Sequence, residues 1–299
     1  MVEAFLSMLA EQRKVSASTH NQANITLTPL HRITSMLLEP FFREMGAGPG
    51  VVCVHSNASS SSQWRILMER LAAMFHVLAA DSFGSGKSPA WSGKRPLHLE
   101  DEVELLEPVF ARAGAHFSLV GHSYGAAVAL KAATTFPHRV RALALYEPTL
   151  FALLDAYSPP PNEAEGIRNA VAAAIAALDT GDSSTAAKCI VDFWGGEGAW
   201  DRTPEQRKKP ILESIGMVPG WANALFNEPT SLQEFSGLNI PVLYMVGKDS
   251  PASSRGVARF LTQVLPRVEV VEFEGLGHMG PVTHPEAVNE AVCYFLERG

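Results

Sequence analysis

Short, largely apolar runs alternate with amphipathic stretches along most of this chain. Val51-Val52-Cys53-Val54 is apolar at every position, which marks a strand buried on both faces. Val77–Ala80 reads the same way, and Phe117–Val120, Val140–Tyr146, Pro241–Val246 and Val268–Phe273 read as further strands. Between these runs the period lengthens. From Gln63 to Met74, the residues Trp64, Leu67, Leu71 and Met74 share one helical face. Leu99–Arg112 and Ala126–Thr135 are also helical. Pro285–Glu297 puts Val288, Val292 and Phe295 on one side, with proline in the first turn. Met36–Arg43 predicts a further strand ahead of the turn Gly46-Ala47-Gly48-Pro49-Gly50. Strands alternating with helices predict an α/β fold, with a mostly parallel central sheet and helices on both faces.

The alternation stops after Glu147. Residues 151–236 open on Pro159-Pro160-Pro161, carry an alanine-rich helix over Asn169–Leu178, and include the aromatic run Phe193-Trp194-Gly195-Gly196-Glu197-Gly198-Ala199-Trp200. They predict a helical cap inserted into a core made of residues 36–150 and 237–299. Residues 1–35 begin with a short amphipathic stretch and run into the polar segment Ser16–Asn24, which predicts a tail outside the core.

Bulk properties narrow the function classes. At 299 residues, 46% hydrophobic and 18% charged, the chain can bury a large core. A net charge of −7 argues against nucleic acid or an anionic membrane surface as a main partner. No apolar run is long enough for stable membrane insertion, and Met1-Val2-Glu3-Ala4-Phe5 lacks the basic start of a signal peptide. Cys53, Cys189 and Cys293 follow no zinc or redox spacing, and Cys53 and Cys293 read as small core residues. A cytoplasmic protein is expected, acting on a small molecule without metal or cofactor. A homodimer is left open.

The strongest chemical signal is Gly121-His122-Ser123-Tyr124-Gly125, set between the strand Phe117–Val120 and the helix from Ala126. A serine on so sharp a strand-to-helix turn needs unusual backbone angles and tiny neighbours two residues away. The turn lifts its hydroxyl above the sheet edge at a helix N-terminus. Ser123 is therefore the expected nucleophile. A serine hydroxyl needs a base. Of the 10 histidines, His278 stands in the glycine-rich segment Gly275-Leu276-Gly277-His278-Met279-Gly280, after the last strand and before the last helix. His122 is expected to pack, His55 to order its loop, and His284 to cap the final helix. Two carboxylates compete to orient His278. Asp249 follows the strand Pro241–Val246, and Glu147 ends the strand before the insert. The expected oxyanion donors are the backbone N–H of Tyr124 and that of Asn57, in the loop after Val54.

Together these motifs resemble the α/β-hydrolase superfamily from about residue 36 onward, the insert excepted. His55-Ser56-Asn57 stands where these enzymes usually carry His-Gly-X. Asp81-Ser82-Phe83-Gly84-Ser85-Gly86-Lys87-Ser88 is similar to their Asp-X-X-Gly-X-Gly-X-Ser loop, and Gly277-His278 with His284-Pro285 is similar to their C-terminal end. The chain departs from the pattern at Ser56, which replaces the usual glycine, and at Ser250, which stands where the family usually places its acid. Asp249 lies one residue early. Glu147 matches the glutamate after the sixth strand of certain haloalkane dehalogenases. Asp249 ranks slightly ahead. Dehalogenase and epoxide-hydrolase chemistry is disfavoured, because those relatives use aspartate where this chain has Ser123.

The resemblance implies a carboxylic ester hydrolase that forms an acyl-enzyme on Ser123, acting on a small or medium apolar ester. Phe193, Trp194 and Met279 are the expected substrate-pocket residues. Trp200, Trp221 and Phe226 are expected to contribute from the insert. Alternatives are a lactonase or carbon–carbon bond hydrolase with the same residues, or a small-molecule receptor of the same fold.

Overall fold

The computed structural model describes residues 39–299. The expected tail, residues 1–35, and the start of the predicted Met36–Arg43 strand lie outside the described residues. The first strand, β1, runs Phe42–Met45, just after Pro40, which has no N–H for a ladder. The others are β2 Gly50–Val54, β3 His76–Ala80, β4 Phe117–His122, β5 Val140–Tyr146, β6 Val242–Gly247 and β7 Val268–Phe273. They form one seven-stranded sheet in the order β1-β3-β2-β4-β5-β6-β7. Only β1 is antiparallel, pairing with β3 from Phe42↔Ala80 to Met45↔Val77. The sheet is thus mostly parallel, as the continuous apolar runs require.

Side chains alternate across the sheet. Val51 and Cys53 of β2 enter one apolar cluster, together with Leu67, Leu71, Val288 and Val292. Val52 and Val54 enter the other, with Leu106, Val109, Val128 and Leu261. Each face is covered by helices. On the first lie α1 Arg65–Leu71 and the C-terminal helix Pro285–Glu297. On the second lie α2 Leu99–Ala113 and α3 Tyr124–Thr135.

The helix predicted over Gln63–Met74 is shorter than its apolar pattern. A 3₁₀ turn, Ser61–Trp64, precedes it, with the Ser61 N–H donating to Asp81 Oδ1 at 2.5 Å. Gln63 uses its side chain elsewhere, and Met74 is exposed.

Every regular element between β5 and β6 is helical: α4 Ala152–Tyr157, α5 Glu165–Asp179, α6 Ser183–Gly195, α7 Ala199–Arg202, α8 Glu205–Ser214, α9 Val218–Phe226 and α10 Leu232–Ser236, with a 3₁₀ turn at Ile215–Met217. Polar ties fix this insert to the rest. Lys131 Nζ of α3 reaches Glu228 Oε1 at 3.0 Å, and Asn223 Nδ2 donates to Leu97 O at 2.9 Å. The remaining helices are α11 Ala252–Val264, α12 Gly280–Thr283 and α13, the C-terminal helix.

Candidate active site

Ser123 sits between β4 and α3 with φ 57° and ψ −118°. That conformation is costly for a residue with a Cβ and persists only where the surroundings enforce it. Its N–H donates to Tyr146 O at 2.9 Å, which pins the turn to β5. A Cβ on Gly121 would overlap the backbone of Ala126, and one on Gly125 the carbonyl oxygen of Val54. Glycine at both positions is a packing necessity. Among the described residues, three non-glycine residues have positive φ: Ala58, Ser123 and Glu147. All three lie on segments that meet at this turn.

His278 brings Nε2 to 2.9 Å from Ser123 Oγ. Its Nδ1 lies 2.6 Å from Glu147 Oε2, and both side chains are almost wholly buried. A carboxylate offers only lone pairs, so Nδ1 carries the proton and Nε2 is left to accept from the Ser123 hydroxyl. Burial alone would raise the Glu147 carboxyl. Hydrogen bonding and charge from His278, the Ser250 hydroxyl and the Gly247 N–H outweigh it and hold the carboxyl below its ordinary value. Ser250 Oγ donates to Glu147 Oε1 at 2.5 Å and Gly247 N at 2.8 Å. Ser254 Oγ stands 3.3 Å from His278 Nδ1.

Asp249, ranked ahead of Glu147 on sequence, is exposed. Its backbone N–H donates to Leu276 O, and the Nδ1 of His278 is engaged by Glu147. The structure therefore brings Ser123, His278 and Glu147 together and leaves Asp249 aside. The reason lies in the turn after β6: Ser250 points inward and is buried, which turns its neighbour Asp249 to solvent.

A second layer of polar contacts supports the first. His122 Nε2–H donates to His278 O at 2.8 Å, and its Nδ1 accepts from Gln63 Nε2 at 3.1 Å. Burial, with the charge of His278 adding to it, holds the His122 imidazole well below its ordinary value, so it stays neutral. Gln63 Oε1 then accepts from Ser56, at 3.2 Å from its N and 3.1 Å from its Oγ. One glutamine thus joins the loop after β2 to the segment carrying His278. Ser56 does not leave the loop loose where the family's glycine is absent; it fills that position with a bonded hydroxyl. His55 also ties a loop, with Nδ1 to Ser56 O at 2.6 Å and Nε2 accepting from Ser82 N at 3.1 Å. His284 makes no side-chain cap; its Nδ1 lies 2.9 Å from Thr283 Oγ1.

Beside Ser123 lies a cavity of about 60 Å³. Its wall holds Ser56, Asn57, Ser123, Thr149, His278 and Met279, and from the insert Phe151, Ile167, Val171, Ile190, Trp194, Val218, Trp221, Ala222, Leu225 and Phe226. Trp194 stacks on His278, ring centroids 3.8 Å apart and planes 24° from parallel. Phe193 is not in this wall; it packs edge-on behind Trp194, centroids 4.7 Å apart. Trp200 also stands outside, against Lys208. Thr149 and Phe151 were not expected in the wall, although both lie within four residues after Glu147, and neither was Gln63 expected near the site, because a hydrophobic periodicity hides its polar role.

A hydroxyl, an imidazole whose Nε2 can accept, and a carboxylate in series can move a proton from the hydroxyl to the imidazole while the carboxylate stabilises the charge that forms. Tyr124 opens α3, so its N–H has no intrahelical acceptor and faces the end of the helix beside Ser123. Among the described residues, no three His, Cys, Asp or Glu side chains gather as metal ligands. Nor, among them, is any helix long and apolar enough to cross a membrane.

The chain is similar to known hydrolases over most of its length. The chain is 24% identical over 259 residues to (E)-2-((N-methylformamido)methylene)succinate hydrolase of Acinetobacter baylyi, covering 85% of this chain and 92% of the relative. It is 25% identical over 244 residues to the pimeloyl-[acyl-carrier protein] methyl ester esterase of Nitrosomonas europaea, covering 81% and 93%. Among solved structures it resembles an alpha/beta hydrolase from Sphaerobacter thermophilus, with a TM-score of 0.65, 26% identity, and coverage of 86% and 96%. Residues 49–285 match the family described as the alpha/beta hydrolase fold. With its mostly parallel sheet and its serine turn between β4 and α3, this chain belongs to the alpha/beta hydrolase fold family.

Proposed function

We propose that this chain hydrolyses a small or medium carboxylic ester through an acyl-enzyme on Ser123. The observation that carries the proposal is the buried series Ser123 Oγ, His278 Nε2 at 2.9 Å, and Glu147 Oε2 at 2.6 Å from Nδ1. In the first step Ser123 Oγ attacks the ester carbonyl carbon and His278 Nε2 takes its proton. The oxyanion is held by the N–H groups of Tyr124 and Asn57. His278 then gives its proton to the leaving alkoxide, which departs as an alcohol. In the second step water attacks the acyl carbon and gives its proton to His278. That proton returns to Ser123 Oγ as the carboxylic acid leaves. Glu147 keeps the imidazole in the required tautomer. Every step is carried by protein groups.

Residues 151–236 act in this proposal as a cap over a core made, among the described residues, of 39–150 and 237–299. The cap supplies most of the apolar wall for the acyl group, with Trp194 and Met279 beside His278. Among the described residues, no Lys or Arg lines that wall. The Acinetobacter relative is named for a succinate, which carries two carboxylates; an uncharged ester, as in the name of the Nitrosomonas relative, suits this cavity better.

The test is burst and steady-state kinetics on short p-nitrophenyl esters. Ser123→Ala is expected to abolish the burst. Glu147→Gln is expected to lower kcat by roughly 10³–10⁴-fold, as loss of the orienting acid does elsewhere, while Asp249→Asn changes it less than threefold. Full activity in Ser123→Ala, or the reverse order for the two carboxylates, would overturn the proposal.

A further inference from the structure

The indole of Trp194 is more than a stretch of cavity wall. It lies face to face with the His278 ring, centroids 3.8 Å apart and planes 24° from parallel. His278 is 1% exposed, so the contact is made where little water reaches. Trp194 stands near the end of α6, and its surroundings hold it there. Asp192 Oδ1 accepts from the Trp200 N–H at 2.8 Å, which ties the end of α6 to α7. Phe151 lies 16° from parallel to the indole, with centroids 6.4 Å apart, and Phe193 packs against it edge-on. Gly166 of α5 leaves room for Phe193, since a Cβ there would stand 3.1 Å from its ring.

The face of an indole is the negative part of its quadrupole. It attracts a cation placed over it, more strongly than the other aromatic side chains do and more so where water is excluded. In the proposed reaction His278 becomes a cation twice, once when Nε2 takes the Ser123 proton and once when it takes the proton of the attacking water. Glu147 meets that charge at the edge of the ring, through Nδ1. The His122 ring, centroid 5.3 Å away and tilted 45°, is held neutral and brings no opposite charge. Trp194 meets the face. A contact that strengthens as the charge forms lowers the barrier more than it stabilises the ground state.

We propose that Trp194 is a positioning residue of the reaction, whose π face stabilises the His278 imidazolium in both acylation and deacylation. This rests on the ester-hydrolase reading above and deepens it. It makes the insert part of the proton-transfer machinery, because the stack exists only with α6 seated against His278. A residue that merely walled the acyl group would act on substrate binding and so on KM; a partner of the imidazolium acts on kcat.

The experiment replaces Trp194 by tryptophans carrying one, two or three ring fluorines, incorporated at that site alone. Fluorine draws charge from the face of the ring and barely changes its size. On p-nitrophenyl acetate, the burst reads acylation and the steady state reads deacylation. Both rates are expected to fall stepwise with fluorine number, to roughly tenfold for three fluorines, with KM changed less than threefold. The same series at Trp200, which stands outside the wall against Lys208, should leave both rates within twofold. Trp194→Leu keeps apolar bulk without a π face and should lower both rates at least as far as three fluorines do, with Trp194→Phe in between. Rates independent of fluorine number, or a Trp194→Leu variant changed in KM alone, would overturn this inference and leave the hydrolase reading standing. A wild-type protein with neither burst nor turnover on any p-nitrophenyl ester would overturn the hydrolase reading itself.

Discussion

Glu102 is a wholly buried carboxyl that the proposed chemistry does not use, and its cost is measurable. It lies on α2, where Oε2 accepts from Phe83 N at 3.1 Å and Oε1 from the Tyr124 hydroxyl at 3.0 Å. Burial pushes the carboxyl up from 4.5 to about 7, against the pull of those two donors. A carboxyl raised on folding is neutral in both folded and unfolded chains below pH 4.5. Between 4.5 and 7 the unfolded chain ionises first, so the folded state loses stability as pH rises, and above about 7 the loss is complete. The displacement corresponds to about 3 kcal/mol. Glu102→Gln removes the titration. Its amide oxygen can face the Phe83 N–H and its NH₂ can donate to the Tyr124 oxygen, so both contacts survive. Urea unfolding of wild type and variant from pH 4 to 8.5 gives the difference directly, and the titrations the two proteins share cancel. The variant's stability relative to wild type is expected to climb by about 3 kcal/mol between pH 4.5 and 7.5, and to be flat on either side. A difference that is independent of pH, or that climbs in the opposite direction, would refute the reasoning.

Two further outcomes test the polar ties. Gln63→Leu cuts the glutamine that joins Ser56 to His122, and through His122 to the His278 carbonyl. It is expected to lower kcat on a p-nitrophenyl ester roughly tenfold with KM changed less than threefold; a loss confined to KM, or none, would remove Gln63 from its positioning role. Lys131→Met strands the Glu228 carboxylate, whose side chain is 3% exposed. Stability measured by urea unfolding is expected to fall by about 2–3 kcal/mol, less than for a fully buried pair because Lys131 retains some solvent. Adding Glu228→Gln should restore much of it, and a double variant no better than Lys131→Met alone would show that the ion pair is not the source.

What could be read from sequence was local. The β4–Ser123–α3 turn is specified by five consecutive residues and by the apolar strand before them, so its signal survives without tertiary information. The mostly parallel sheet follows from apolar runs that lack alternation. The cavity wall is a different matter. Phe193 and Trp194 are neighbours on α6, and successive residues on a helix point about 100° apart, so only one of them can stack on His278. Which one does so depends on how the insert is seated, and helical periodicity carries no such information. Thr149 and Asn57 enter the wall because strand ends converge in space from distant positions.

The carboxylate beside His278 was illegible for a related reason. β5 and β6 pair in parallel, with Tyr146 opposite Met245, so the segments after both strands emerge at the same sheet edge. A carboxylate from either could reach one imidazole, and chain order does not choose between them. The choice is made by two local features. Glu147 adopts φ 47°, a strained angle that persists because its side chain is gripped from across the edge. The grip comes from Gly247 N and Ser250 Oγ, both donors. Ser250 therefore does not mark the loss of an acid from its usual position. Under the proposed mechanism it is the complement to an acid moved one strand over. A carboxylate at position 250 would face Glu147 within hydrogen-bond distance inside a buried pocket, where two negative charges raise one another's pKa. A hydroxyl there instead helps keep Glu147 ionised, and that is the state in which it can hold the proton on His278 Nδ1 and leave Nε2 open to Ser123.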